Sequence, residues 1–104
     1  SVAAGAPVER PADTIADGLS ITRPVAGALE QVIAAVDEII PVSDETILAA
    51  MRLLIEKAGI LAEPSGAAGL AGLMEIGARV QGAAVVCVIT GSNLDPKLLS
   101  RLAG

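Results

Sequence analysis

Apolar positions in this chain recur at helical spacing in some stretches and form unbroken runs in others. In VAGALEQVIAAV (25–36), Leu29, Ile33 and Val36 fall on one face, with Glu30 and Gln31 off it, which predicts a helix. DETILAAMRLLIEKAG (44–59) predicts another. Ile47, Met51, Leu54 and Ala58 line its face, and Leu48 and Ile55 widen it. Its ends are marked too. Ser43 is a good N-cap, and Asp44 and Glu45 occupy the first turn, where the helix dipole favours acid. Lys57 near the end and Gly59 just beyond it are stop signals. Pro64 can open a further helix, SGAAGLAGLMEIGA (65–78). Asp95 and Pro96 start a last one, with Leu98, Leu99 and Leu102 facing inward.

Between these helices lie extended segments. DEIIPV (37–42) reads as a short strand that Pro41 confines to an edge or a strand end. ILAEP (60–64) is brief and extended, because a residue before proline avoids the helical region. AAVVCVI (83–89) is a continuous apolar run of the kind found in central parallel strands covered on both faces. Residues 1–24 hold Pro7, Pro11 and Pro24 and the turn-rich ADTIADGL, and form an irregular lead-in. The order loop, α, β, α, short β, α, β, α implies an α/β fold with a parallel sheet. Two or three strands with helices on both sides do not close a core, and 83–89 needs neighbours that the chain hardly supplies.

Composition sharpens this picture. The 104 residues suffice for one small domain, but 53% are hydrophobic while Phe, Tyr and Trp are absent. A core of Ala, Val, Ile and Leu packs thin elements closely, as in the interior of a larger domain. A net charge of −5, with no aromatic for a base to stack on, argues against a nucleic-acid partner. No apolar run approaches the roughly 20 residues of a membrane span, and the N-terminal SVAAGAPVERPAD lacks a signal-peptide core. Cys87 has no second cysteine to pair with and is expected to be a buried, inert thiol in a reduced cytoplasmic setting.

Candidate chemistry is sparse. The absence of His excludes a Ser/His/Asp set, a Cys/His pair and the commonest metal ligand. Ligands of parallel α/β sheets bind beyond the carboxyl ends of the strands, which points to Thr90–Asn93. Thr90 offers a hydroxyl that donates and accepts, and Gly91 allows close backbone approach. That loop can hold an anion on its amides, present the hydroxyl to a heteroatom, or serve only as a turn. Glu63, fixed by Pro64, either faces the same strand-end side or is a solvated loop residue. Gly66, Gly69 and Gly72 fall three apart in one helix, which implies tight packing or room for a ligand. Asp13 and Asp17 lie four apart without a third oxygen ligand, so they suit turn chemistry better than a metal, and no metal site is expected.

Four segments in register resemble one family. DTIADGL (13–19), VSDETILAAMRLLIEKAGILAEP (42–64), EPSGAAGLAGL (63–73) and VVCVITGSNLD (85–95) are similar to the carboxy-terminal part of the fold-type II pyridoxal-phosphate enzymes. The best likeness is to threonine and serine dehydratases, with serine racemase a near relative. The resemblance implies that residues 1–104 are a portion of a three-layer α/β/α parallel-sheet domain, the large domain of that family. It implies pyridoxal 5'-phosphate in the parent enzyme, with the Thr90 hydroxyl facing its pyridine nitrogen, Gly91 among the cofactor-binding residues and Glu63 near its ring. The implied reaction removes water from a β-hydroxy amino acid and releases a 2-oxo acid and ammonia.

Departures from the family are equally informative. The lysine that binds the cofactor covalently, the glycine-rich phosphate cup and the acidic cation ligands lie upstream in the family. Lys57 and Lys97 are the only lysines here, and neither falls in a matching motif. Ser92 replaces a usual Gly, and Gly69 and Gly72 replace usual Ala. The expectation is an inactive fragment whose partner is the missing amino-terminal part of the same enzyme or further copies of itself. The alternatives are a non-catalytic, self-associating α/β module and one half of a split enzyme.

Overall fold

The computed structural model describes Ile15, Ala16 and residues 25–103. The elements are α1 (Ala26–Ala35), α2 (Asp44–Ala58), α3 (Pro64–Ile76), a 3₁₀ turn (Gly77–Val80) and α4 (Pro96–Ala103). Apart from Ile15 and Ala16, the lead-in over 1–24 lies outside the described residues, and so do Asp13 and Asp17.

Helix α2 begins and ends where its local chemistry dictates. The Ser43 side chain accepts a hydrogen bond from the Thr46 amide at 3.1 Å, and Asp44 and Glu45 occupy the first turn. Gly59 closes the helix in the left-handed region at φ 65°, donating to the Ile55 carbonyl at 3.2 Å. Ser43→Ala is expected to lower stability by about 1 kcal/mol. A thermal melt unchanged by that substitution would show that the cap contributes nothing.

Helices α2 and α3 form an antiparallel pair joined by the short 59–63 connection. The hydroxyl of Thr46 in the first turn of α2 donates to Glu75 near the end of α3 at 2.8 Å. Ala50, Ala67 and Ala71 are fully buried, and their small side chains let helix axes approach closely. Leu48 and Met51 are the largest side chains wholly inside. Ile89, Leu94 and Leu102 pack against this cluster from the carboxy-terminal half. The Arg52 guanidinium donates to the carbonyls of Arg101 at 2.6 Å and Leu102 at 3.3 Å, so α2 also caps the end of α4. Arg79 donates to Glu38 at 2.7 Å and holds that carboxyl below the usual carboxylate range. This exposed pair ties 37–42 to the 3₁₀ turn.

Several expectations need correction. No strand forms among the described residues, so the expected parallel sheet is absent there. The segments 37–42, 60–63 and 83–89 are irregular, and 84–90 find no backbone hydrogen-bond partner among the described residues. The reason is physical: a strand is stable only as part of a pair, and its partner must come from elsewhere in the sequence. Without partners the apolar run is uncovered, with Val86 90% and Val88 71% exposed. Ile33 of α1 and Val36, which caps its end, are exposed although the predicted face includes the buried Leu29. The buried face of α2 is narrower than its periodicity implied, since Ile55 and Ala58 face solvent. Leu99 of α4 is exposed, while Leu98 and Leu102 are half-buried.

Candidate functional site

Two short segments meet to make the site. Pro64 occupies the first helical position of α3, where its missing N–H is no loss. Glu63 therefore precedes the helix in extended conformation, and its carbonyl accepts from the Ala67 amide at 3.0 Å. Its own amide donates across to the Gly91 carbonyl at 3.0 Å. That bond sets the end of the 83–90 segment beside the first turn of α3. Glu63, Thr90 and Gly91, separate along the chain, come together here. Glu63 is half-buried, while Thr90 and Gly91 are exposed.

Glycines make the approach possible. A Cβ on Gly91 would fall on the Glu63 carboxylate, with its Cδ only 2.8 Å away. A Cβ on Gly66 would overlap the Thr90 carbonyl, 2.9 Å from its carbon and 3.0 Å from the Gly91 oxygen. One turn later, a Cβ on Gly69 would meet the Val88 oxygen at 3.4 Å, an ordinary contact, and on Gly72 it would meet nothing within 4 Å. The three regularly spaced glycines do not share one role, because among the described residues only Gly66 is required by a close contact.

Thr90 stands at a cleft of about 310 Å³, lined by Ile60, Leu61 and Ala62 on one segment and Ile89, Thr90 and Ser92 on the other. Its walls are apolar where the aliphatic side chains stand and hydroxyl-bearing at the rim. No helix N-terminus directly follows this loop, since α4 begins only at Pro96, which has no N–H to offer. A neighbouring groove of about 290 Å³ runs along α3, between Gly69, Gly72 and Leu73 on one side and Val86 and Val88 on the other.

Cys87 is half-buried rather than buried, with its Sγ 3.9 Å from the Gly69 carbonyl. The uncovered segment leaves the thiol partly open. Among the described residues, no group of three His, Cys, Asp or Glu side chains could hold a metal ion. No helix among them is long and apolar enough to cross a membrane. Sequence reasoning missed two features of the site. One is the contact that singles out Gly66, whose available signal was its position in the first turn beside Glu63. The other is Ser65 Oγ, which is buried without a hydrogen-bond partner among the described residues.

Comparison with known proteins places this geometry in context. Residues 1–91 match the family model described as pyridoxal-phosphate dependent enzyme. The threonine synthase of Halalkalibacterium halodurans is 41% identical over 95 residues, covering 86% of this chain and 27% of that protein. Among solved structures, the threonine deaminase of T.th. superposes with a TM-score of 0.83 at 33% identity, over 91% of this chain and 34% of that one. Serine racemase from Dictyostelium discoideum gives a TM-score of 0.78 at 30% identity, over 91% and 31%. The chain thus spans about a third or less of the length of each of these relatives.

Proposed function

This chain belongs to the fold-type II pyridoxal-phosphate-dependent enzymes, and we propose that it is the carboxy-terminal part of a threonine or serine dehydratase. In this reading it supplies the wall of the cofactor pocket that faces the pyridine nitrogen. The observation that carries the proposal is the joint between Glu63 and Gly91, which presents Thr90 at the mouth of a partly apolar cleft. The residues present suit the cofactor. A flat ring calls for apolar walls, close backbone approach and a hydrogen-bonding group at its heteroatom, and Ile60, Gly91 and Thr90 offer these. The buried, unpartnered Ser65 hydroxyl beside the joint is a further group that a completed site can satisfy.

When bound, the cofactor supplies the electron sink for carbanion chemistry at the amino acid Cα. A threonine hydroxyl at the ring nitrogen can donate a hydrogen bond without imposing a full positive charge, as an ionised carboxylate would. That gives a milder sink, which suits loss of a β-hydroxyl as water. The eliminated product is an enamine; its imine form takes the water back and releases the 2-oxo acid and ammonia. Glu63 stands beside the same face and orders it. Lys57 lies in the last turn of α2 and Lys97 in the first turn of α4, both exposed, and neither falls in a segment that resembles the family's cofactor-lysine motif.

The remaining two-thirds of the enzyme would dock on the 84–90 segment, which finds no backbone partner among the described residues, and supply the cofactor lysine. The chain by itself is expected to form no lysine-bound cofactor absorption band. Mixed with the amino-terminal two-thirds of a fold-type II dehydratase, it is expected to restore release of 2-oxo acid from threonine or serine. A covalent cofactor band from the isolated chain, or a mixture that binds cofactor no better than either part, would overturn the proposal. The 41% identity to a threonine synthase favours a second reading, in which the same wall serves a synthase. Threonine would then be the product rather than the substrate, and the reassembled enzyme would release no 2-oxo acid from it.

A further inference from the structure

We infer that Gly66 is the positioning residue of this face, an inference that rests on the cofactor reading above. The bond from Glu63 across to Gly91 can form only if the first turn of α3 lies against the 90–91 backbone. The space for that approach is the place where a side chain at residue 66 would stand, since its Cβ would overlap the Thr90 carbonyl. Gly66 therefore fixes how deep the 90–91 turn seats against α3. It thereby sets the Thr90 hydroxyl and the Glu63 carboxylate at a constant relation to each other. Gly91 completes the arrangement from the other side, because the space a side chain there would fill is taken by the Glu63 carboxylate.

Gly66 touches neither the proposed ring nor a substrate, so its effect must pass through Thr90. Any methyl group at residue 66 has to push the Thr90 backbone, which is less able to yield than a side chain tip. The expected result is a hydroxyl displaced from the heteroatom while α2 and the body of α3 stay intact. Gly69 is the internal control. It lies one turn further along the same helix, and its added methyl would make an ordinary contact.

The test has two arms. In the isolated chain, hydrogen exchange follows the Glu63 amide, with the amides of 84–88, which have no backbone partner among the described residues, as the fast reference. Gly66→Ala is expected to bring Glu63 exchange to that reference rate, while Gly69→Ala leaves it slow. In the enzyme reassembled with its amino-terminal two-thirds, Gly66→Ala is expected to weaken cofactor binding at least tenfold and to shift the cofactor absorption maximum. Gly69→Ala should change neither. An unaltered absorption maximum and affinity in Gly66→Ala overturns the inference, even if exchange is faster, because Gly66 would then serve packing only. Should Gly66→Ala fail to fold, two measurements decide: a wild-type Glu63 amide that exchanges as fast as 84–88, or a reassembled Thr90→Ala enzyme with unaltered absorption maximum and affinity, overturns the inference, and a protected amide together with a shifted maximum sustains it. If the reassembled wild type binds no cofactor, the functional reading fails, while the exchange arm still judges the joint.

Discussion

Leu48→Ala is expected to lower the unfolding free energy by about 2–5 kcal/mol, the range for deleting a buried leucine without full collapse of the cavity. Leu48 is 1% exposed and sits in the one cluster that joins α2, α3 and the carboxy-terminal segment. Its neighbours include Ala50, Ala67 and Ala71, which have no spare length to fill the space. With no aromatic residue anywhere in the sequence, no large flexible ring can rotate into the gap. A domain of this size has roughly 5–15 kcal/mol in total, so the loss is a large share. Ile55→Ala is the matched comparison, because Ile55 lies on the same helix but faces solvent. Its cost should be below about 1 kcal/mol, the scale for exposed positions. Denaturant unfolding of both variants checks this. Equal midpoint shifts would mean that α2 does not bury the face described here.

The outcome for α2 illustrates which features were legible in the sequence. Its cap at Ser43, its acidic first turn and its glycine stop are local, and all three are realised. Pro64 and Pro96 likewise open α3 and α4 at the expected residues. These signals need only a few neighbouring residues to act. Strand pairing is different. The run AAVVCVI is an unmistakable apolar segment, yet whether it becomes a strand depends on backbone partners far away in the chain. Those partners are not among the described residues, and the segment stays irregular there. The same limit explains Cys87: its burial was inferred from a covering layer that the described residues do not provide.

The site divides along the same line. Within the proposed site, Thr90 is a candidate legible in the sequence because a polar residue ending an apolar run can mark a ligand-binding edge, and Glu63 because a proline fixes the chain after it. That the two belong together was implied by family resemblance, and the Glu63–Gly91 bond gives that pairing a geometric basis. Gly66, Gly69 and Gly72 show what spacing conceals. Identical in sequence and evenly placed, they meet a carbonyl too close for any side chain, an ordinary contact and open space, respectively. Periodicity gives the face of a helix but not the distance to what lies opposite.

Val86→Asp separates the fragment reading from a free-standing module. Val86 is 90% exposed, so a carboxylate there is solvated and should change the stability of the isolated chain by no more than about 0.5 kcal/mol. In the reassembled enzyme the same residue would lie inside a central strand with a covering layer, and a charge buried without a partner costs about 3–5 kcal/mol. At about 1.4 kcal/mol per decade, the affinity for the amino-terminal two-thirds should fall by roughly two to four orders of magnitude. Titration of one part into the other, followed by heat or by recovered 2-oxo acid release, measures this directly. The contrast is what gives the experiment its force, since a substitution that is silent in one state and severe in the other must act through a surface that only the second state covers. A Val86→Asp chain that reassembles as well as the wild type would show that 83–89 is not the docking strand. A wild type that forms discrete oligomers, which Val86→Asp disperses and which the amino-terminal two-thirds cannot compete away, would assign the same surface to other copies of this chain.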